Sequence, residues 1–123
     1  MRQRKRIIFV SMAVVSIALF LAFHEWTSGA AEAQQDIQRG HLEVRGYGLP
    51  ARWVPDYARL LNDRLGVRFN TVAGCMVSSR LANHTNEYNE VMRREIERRY
   101  GAGILEKLAD EASKTYAGTR PAA

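Results

Sequence analysis

The amino terminus of the chain limits its folding more than any other feature. Four cationic residues lie among the first six, and an apolar run, Ile7–Phe23, follows them. Only Ser11 and Ser16 interrupt this run with polar side chains. A positive head before an apolar run is typical of a signal peptide or signal anchor, because the cationic end stays on the cytoplasmic side. We therefore predict that the chain meets a membrane through Ile7–Phe23 and that the remainder is exported.

The sequence leaves open whether this segment is cleaved. At about 1.5 Å per residue the run spans roughly 25 Å as a helix, the lower limit for crossing the hydrocarbon core. Trp26 at its boundary suits a retained anchor. Small residues at 28–30 and 31–33 nevertheless offer two sites for signal peptidase. We assign residues 1–33 to a signal peptide or signal anchor, with the retained anchor preferred. The expected location is the bacterial inner membrane facing the periplasm, or the periplasm or exterior after cleavage.

The basic charge of the chain belongs partly to this targeting segment. The chain has 18 Lys and Arg residues and 13 Asp and Glu residues, and a pI near 9.8. Residues 1–33 contain four of these cations and two of these anions, which leaves 14 and 11 for the remainder. Glu90 and Arg94, like Glu95 and Arg99, are spaced for ion pairs on one helix face. The basic cluster, which consists of Arg93, Arg94, Arg98 and Arg99, therefore indicates a paired, solvated surface, and we predict no nucleic-acid partner.

Two short alternating segments predict strands. Leu42, Val44 and Gly46 alternate with polar residues, and a second alternation covers 67–72. A helix between them would make the two strands parallel. A two-stranded sheet is only marginally stable by itself, so helix packing must supply most of the stability. Open strand edges, or the long helix described next, could support a homodimer.

Helical spacing follows each predicted strand. Apolar residues over Val54–Leu65 recur at helical intervals, with Pro55 in the first turn and Gly66 after the end. A long helix is predicted from about Ser79 to Tyr100, where Ser78 or Ser79 can cap the start and Gly101 can end it. A last helix is predicted over roughly Ile104 to Tyr116.

These patterns together predict an α+β fold. It consists of an N-terminal transmembrane or signal helix and a small strand–helix–strand–long helix–helix domain. We place a mobile polar spacer at 34–40, the exported α+β domain at 41–117 and a flexible tail at 118–123.

Cys75 is the only cysteine and the first candidate for chemistry. It lies just before a predicted helix, where the helix dipole can lower the pKa of a thiol, and His84 or Glu87 could support it. A lone cysteine more often packs as a small buried apolar side chain, which is the preferred interpretation. No second cysteine completes a C-x-x-C motif. The histidines His41 and His84 lack the paired spacing of a metal site, so we predict no metal and no cofactor.

The long helix carries the candidate binding residues. A dense polar run places Asn83 and Glu87 on one face, and Arg94 and Arg98 follow in the basic cluster. These four side chains are the predicted binding residues, and a solvated helix face is the alternative interpretation.

The sequence therefore favours a non-catalytic binding or accessory module of an envelope assembly, whose partner is an unidentified envelope protein. The alternative is a thiol-dependent enzyme or redox-active protein that uses Cys75.

Overall fold

The computed structural model describes residues 11–22 and 28–119, which form a small α+β domain and a helical stretch before it. Residues 11–22 are helical and are called α1. The remaining elements are α2 (Gly29–Gln38), β1 (Glu43–Tyr47), α3 (Val54–Leu65), β2 (Arg68–Ala73), α4 (Ser79–Tyr100) and α5 (Ile104–Gly118).

The local end signals of the helices act as predicted. Gly66 ends α3 in the left-handed conformation at a φ of 64°. The Ser78 hydroxyl accepts a hydrogen bond from the Leu81 N–H at 3.2 Å and caps α4, which ends before Gly101. The predicted bounds of α3 and α4 are thus confirmed. Helix α5 continues past Tyr116 to Gly118, and residues 120–123 of the predicted tail lie outside the described residues.

The two strands pair in parallel, as predicted, and form a two-stranded sheet. The Phe69 ring lies over Gly46, where an added Cβ would come within 2.7 Å of its Cζ atom. On the outer edge of β1, Asn89 takes the place of a further strand. Its Oδ1 accepts from the Arg45 N–H at 2.9 Å, and its Nδ2 donates to the Arg45 carbonyl at 2.7 Å. This edge is therefore covered by a side chain of α4.

Helix α2 corrects the predicted spacer. Residues 34–38, expected to be mobile, belong to a helix that begins within the segment assigned to export. The Ser28 hydroxyl accepts from the Ala31 N–H at 3.1 Å, and the Glu87 carboxylate accepts from the Gly29 N–H at 3.1 Å. Ala33 is completely buried. The prediction was wrong because the buried residues of α2 are the small residues Gly29 and Ala33, which pack on α4. Such residues give the sequence no strongly apolar helical stripe.

The core lies between α4 and the helices and strands around it. Tyr88, Met92 and Ile96 of the predicted α4 stripe are fully buried. Leu61 of α3 and Leu108 of α5 join them in one hydrophobic cluster. Burial of such side chains contributes about 1.5–3 kcal/mol each.

The predicted membrane segment is only partly within the described residues. Residues 7–10 and 23 of Ile7–Phe23 lie outside them. Within 11–22 and 28–119, no helix has both the length and the apolar character needed to span a bilayer. The large apolar side chains of α1 are each more than half exposed, among them Met12, Val14, Val15, Ile17, Leu19 and Leu21.

Candidate functional site

Helices α2 and α4 meet β1 around a charged side chain, Arg45, which is only 14% exposed. Its Nη2 lies 2.7 Å from Glu32 Oε1 and its Nε lies 2.9 Å from Glu43 Oε1. The guanidinium carbon stands 3.5 Å from the centre of the Tyr88 ring, in cation–π contact. We call Arg45, Glu32, Asp36, Glu43 and Tyr88 the Arg45 cluster.

Two side chains of the Arg45 cluster, Tyr88 and Arg45, have raised pKa values. Burial raises the pKa of Tyr88, and the hydrogen bond from its hydroxyl to Asp36 Oδ2 at 2.8 Å raises it further. Burial acts to lower the pKa of Arg45, but hydrogen bonds to Glu32 and Glu43 outweigh it and leave that pKa raised. Each fully buried side-chain nitrogen or oxygen in the described part of the chain has a hydrogen-bond partner. The cluster therefore joins three elements through paired side chains.

His84 and Glu87, the predicted supports for Cys75, contact α2. The His84 Nε2 atom lies 3.4 Å from Glu32 Oε2. Glu87 uses Oε2 to cap the first turn of α2. Among residues 11–22 and 28–119, no group of three or more His, Cys, Asp or Glu side chains is arranged to hold a metal ion.

Cys75 is exposed, so the preferred interpretation of a buried thiol was wrong. It lies in the loop between β2, which ends at Ala73, and α4, which begins at Ser79, so it does not pack beneath the sheet. A shallow cleft at this loop is lined by Cys75, Met76, Val77, Ser78 and Leu81. None of these residues is a histidine or a carboxylate that could serve as a base.

Arg94 and Arg98 line one groove between α2 and α4, with a volume of about 430 Å³. Ile37 and Val91 supply its apolar lining, and polar residues complete it: Gln34, Gln38 and Glu95. We call it the α2–α4 groove. The other two predicted binding residues do not line it: Asn83 is exposed nearer the start of α4, and Glu87 caps α2.

The ion pairs predicted on α4 are present. Glu95 Oε1 lies 2.8 Å from Arg98 Nη2 and 2.6 Å from Arg99 Nε. The predicted pair of Glu90 with Arg94 is longer, at 3.9 Å, because Glu90 Oε2 bonds to Arg93 at 2.7 Å. Arg94 therefore has only a long ion pair, together with a hydrogen bond from its Nε to the Glu90 carbonyl at 3.3 Å.

The sequence did not indicate a second cleft, of about 490 Å³, near the outer edge of β1. Four elements line it, through Val44, Tyr57, Asn86, Asn89, Glu90, Arg93, Leu105, Glu106 and Ala109. Burial raises the pKa of Tyr57 to about 12, and the nearby Glu106 charge adds to this. Because its residues come from distant parts of the chain, no local pattern could have revealed it.

No protein-family model, curated protein or solved structure matches this chain. The buried polar atoms of the Arg45 cluster all have hydrogen-bond partners, and the Cys75 cleft supplies no base. The α2–α4 groove, in contrast, combines an apolar lining with a weakly restrained guanidinium.

The acid stability of α4 should depend on Glu95. Hydrogen bonds from Arg98 and then Arg99 lower the pKa of Glu95 from 4.5 to about 2. Since the folded-state pKa is depressed, the stabilisation is complete above about pH 5 and is lost as the pH falls toward 2. We expect Glu95→Gln to lower the melting temperature at pH 6 and to have a progressively smaller effect between pH 5 and pH 2. A difference that stays constant across this range in thermal scans contradicts the assignment.

Proposed function

We propose that the chain is a small exported protein, anchored in the bacterial inner membrane, that acts as a non-catalytic binding module of an envelope assembly. The observation that carries this proposal is the α2–α4 groove, where Arg94 and Arg98 accompany Ile37 and Val91. Such a groove suits an amphipathic segment of an envelope protein that bears carboxylates beside apolar side chains.

The position of α2 supports a retained anchor. Both sequence-predicted cleavage sites, at 28–30 and 31–33, fall at or within this packed helix. A cut after Ala30 removes the Ser28 cap, and a cut after Ala33 also removes the partner of Arg45 at Glu32. The exposed apolar side chains of α1 supply surface that favours a membrane over water.

The chemistry of the groove supports recognition of a carboxylate. The Arg94 side chain is 68% exposed, and its nearest carboxylate oxygen is 3.9 Å away. A guanidinium in this position can donate two parallel hydrogen bonds to an incoming carboxylate. Ile37 and Val91 offer apolar contact beside it, which gives the segment a second point of recognition.

Site-specific photo-crosslinking in intact membranes tests the proposal. A benzoylphenylalanine at Gln38, in the groove, should give a discrete adduct with an envelope protein through an acidic, amphipathic segment. The same probe at Asp63, exposed on α3, is the control and should give none. Two exposed arginine–carboxylate pairs are worth together about 1.4 kcal/mol, so Arg94→Glu with Arg98→Glu should reduce the adduct about tenfold.

Arg59→Glu provides a matched charge reversal, because Arg59 is 67% exposed and lies on α3. This variant should leave the adduct at Gln38 unchanged. Equal adducts at Gln38 and Asp63, or equal losses from the two charge reversals, contradict the groove. Cys75→Ser should also leave the adduct intact, whereas its loss would favour the thiol-dependent alternative.

A further inference from the structure

Several segments of the domain meet at the end where α4 begins. Helix α2 runs in the same direction as α4, because Gly29 approaches His84 while Ile37 lines a groove with Arg98. Strand β1 runs the opposite way, since Arg45 bonds to Asn89 and Tyr47, further along, bonds to Asn86.

The loop that follows β1 therefore lies at the same end as the start of α2. The parallel strand β2 ends there too, and its loop leads directly into Ser79 of α4. The Gly48 N–H donates to the Ala73 carbonyl at 3.1 Å and joins the two strand ends. We call this end, formed by Ser28 and the loops 48–53 and 74–78, the proximal pole.

The two loops of the proximal pole expose large apolar side chains. Leu49 is 81% exposed and Met76 is 92% exposed, the two highest values among the large apolar residues of the described chain. Leu49 lies in the loop after β1 and Met76 in the loop after β2. Soluble proteins seldom expose large apolar side chains to this extent on two neighbouring loops, and an exposed apolar patch often marks a contact surface.

The anchor segment joins the domain at this same pole. Only five residues separate residue 22 of α1 from Ser28. Since an extended chain spans at most about 3.5 Å per residue, Ser28 lies within roughly 20 Å of the end of α1. Gly29 packs beside His84 and Tyr88 of α4, which lie between about 8 and 14 Å along that helix from Ser79, its first residue. A membrane that holds α1 is therefore within reach of both loops.

The charges of the pole complement an anionic membrane. The loops 48–53 and 74–78, with the first turn of α4, contain Arg52 and Arg80 and no acidic residue. Both arginines are exposed. Asp56, in the first turn of α3 after the loop 48–53, is paired with Arg59 at 2.6 Å, so the excess charge of the pole is positive. Cations beside exposed apolar side chains are the arrangement found in surfaces that lie in the lipid headgroup region.

We propose that the proximal pole lies on the membrane that anchors α1, with Leu49 and Met76 inserted into its interfacial region and Arg52 and Arg80 on its headgroups. This proposal rests on the proposed membrane anchor and deepens it. The α2–α4 groove runs along the side of α4, so this orientation keeps it open toward the periplasm.

Cys75 makes the proposal directly testable, because it is the only cysteine and adjoins Met76. The full chain, labelled at Cys75 with bimane, is reconstituted into vesicles of phosphatidylethanolamine and phosphatidylglycerol. Spin-labelled lipid should quench the fluorescence, and aqueous iodide should quench it about threefold less than for a label in water. The control carries Cys75→Ser and Ala102→Cys, which moves the label to the turn between α4 and α5 at the opposite end of α4. That label should be open to iodide and insensitive to the lipid quencher.

Leu49→Asp with Met76→Asp should abolish the lipid quenching at Cys75, because carboxylates are repelled by anionic headgroups and are costly to bury beside the acyl chains. Because both side chains are exposed, the circular dichroism melting curve should stay unchanged. Arg52→Glu with Arg80→Glu should weaken the quenching on anionic vesicles only.

The outcomes distinguish failure of the membrane anchor from failure of the proposed orientation of the proximal pole. A chain that fails to float with the vesicles overturns the membrane anchor itself. A chain that floats while Cys75 remains as open to iodide as the control overturns the orientation and leaves the anchor standing. Protection from iodide without lipid quenching indicates a protein contact at the pole and also overturns the proposal.

Discussion

Arg45→Ala should lower the free energy of unfolding by about 3 kcal/mol, the range seen when one partner of a buried ion pair is removed. The substitution leaves the carboxylates of Glu32 and Glu43 without their guanidinium partner and removes one of the two cations near Asp36. It also removes the guanidinium from the face of Tyr88. Urea unfolding of the full chain in detergent micelles, followed by circular dichroism, measures the change.

Arg39→Ala is the matched control for this prediction. Arg39 is 66% exposed, and its Nη1 lies 3.8 Å from the same Asp36 that approaches Arg45. An exposed pair of this kind contributes about 0.5 kcal/mol or less. If the two variants unfold at similar urea concentrations, the Arg45 cluster is not a main support of the fold.

Gly29→Val should destabilise the domain by about 3 kcal/mol, at the upper end of the usual cost of overpacking. A Cβ at this position would lie 1.9 Å from the His84 carbonyl oxygen and 2.9 Å from the Tyr88 nitrogen. Both are backbone atoms of a helix interior, so no side-chain rotation relieves the clash. We expect α2 to move away from α4 and to weaken the ion pair between Glu32 and Arg45.

Gly118→Ala provides the control, because an added Cβ at this last residue of α5 meets no atom within 4 Å and the φ of Gly118 is not in the left-handed region. Alanine should be neutral or slightly stabilising at that position. Hydrogen exchange adds a regional measurement: amides of α2 in Gly29→Val should lose protection before those in the centre of α4. Uniform loss of protection would mean that α2 does not move separately and would contradict the proposed clash.

The elements that the sequence predicted best are those whose ends depend on nearby residues. Ser78 caps α4 three residues before its hydrogen-bond partner, and Gly66 ends α3 within one turn. Both signals act over one helical turn, so the bounds of α3 and α4 could be predicted to the residue. The parallel pairing of the strands also followed from local order, because a single helix connects them.

The candidate site was less predictable because its contacts join distant residues. Arg45 looks like an ordinary exposed residue of an alternating strand, yet it lies over a ring 43 positions later in the chain. Arg94 and Arg98 could be identified as neighbours on one helix, but α2 supplies the apolar half of their groove. The second cleft is lined by residues from four elements, and no local pattern of charged or apolar residues predicts it.

The sequence by itself determined the cationic head, the apolar run, the order of the helices and strands from β1 onward, and the ends of α3 and α4. These features depend on residue types a few positions apart, where sequence and conformation are closely linked. Tertiary structure alone decided that α2 is a packed helix, that Cys75 is exposed, and that the loops with Leu49 and Met76 share one end of the domain. The physical reason is that the surface against which a residue packs decides whether that residue is buried and how closely it is approached. At Gly29, for example, the backbone of α4 lies so close that no Cβ fits.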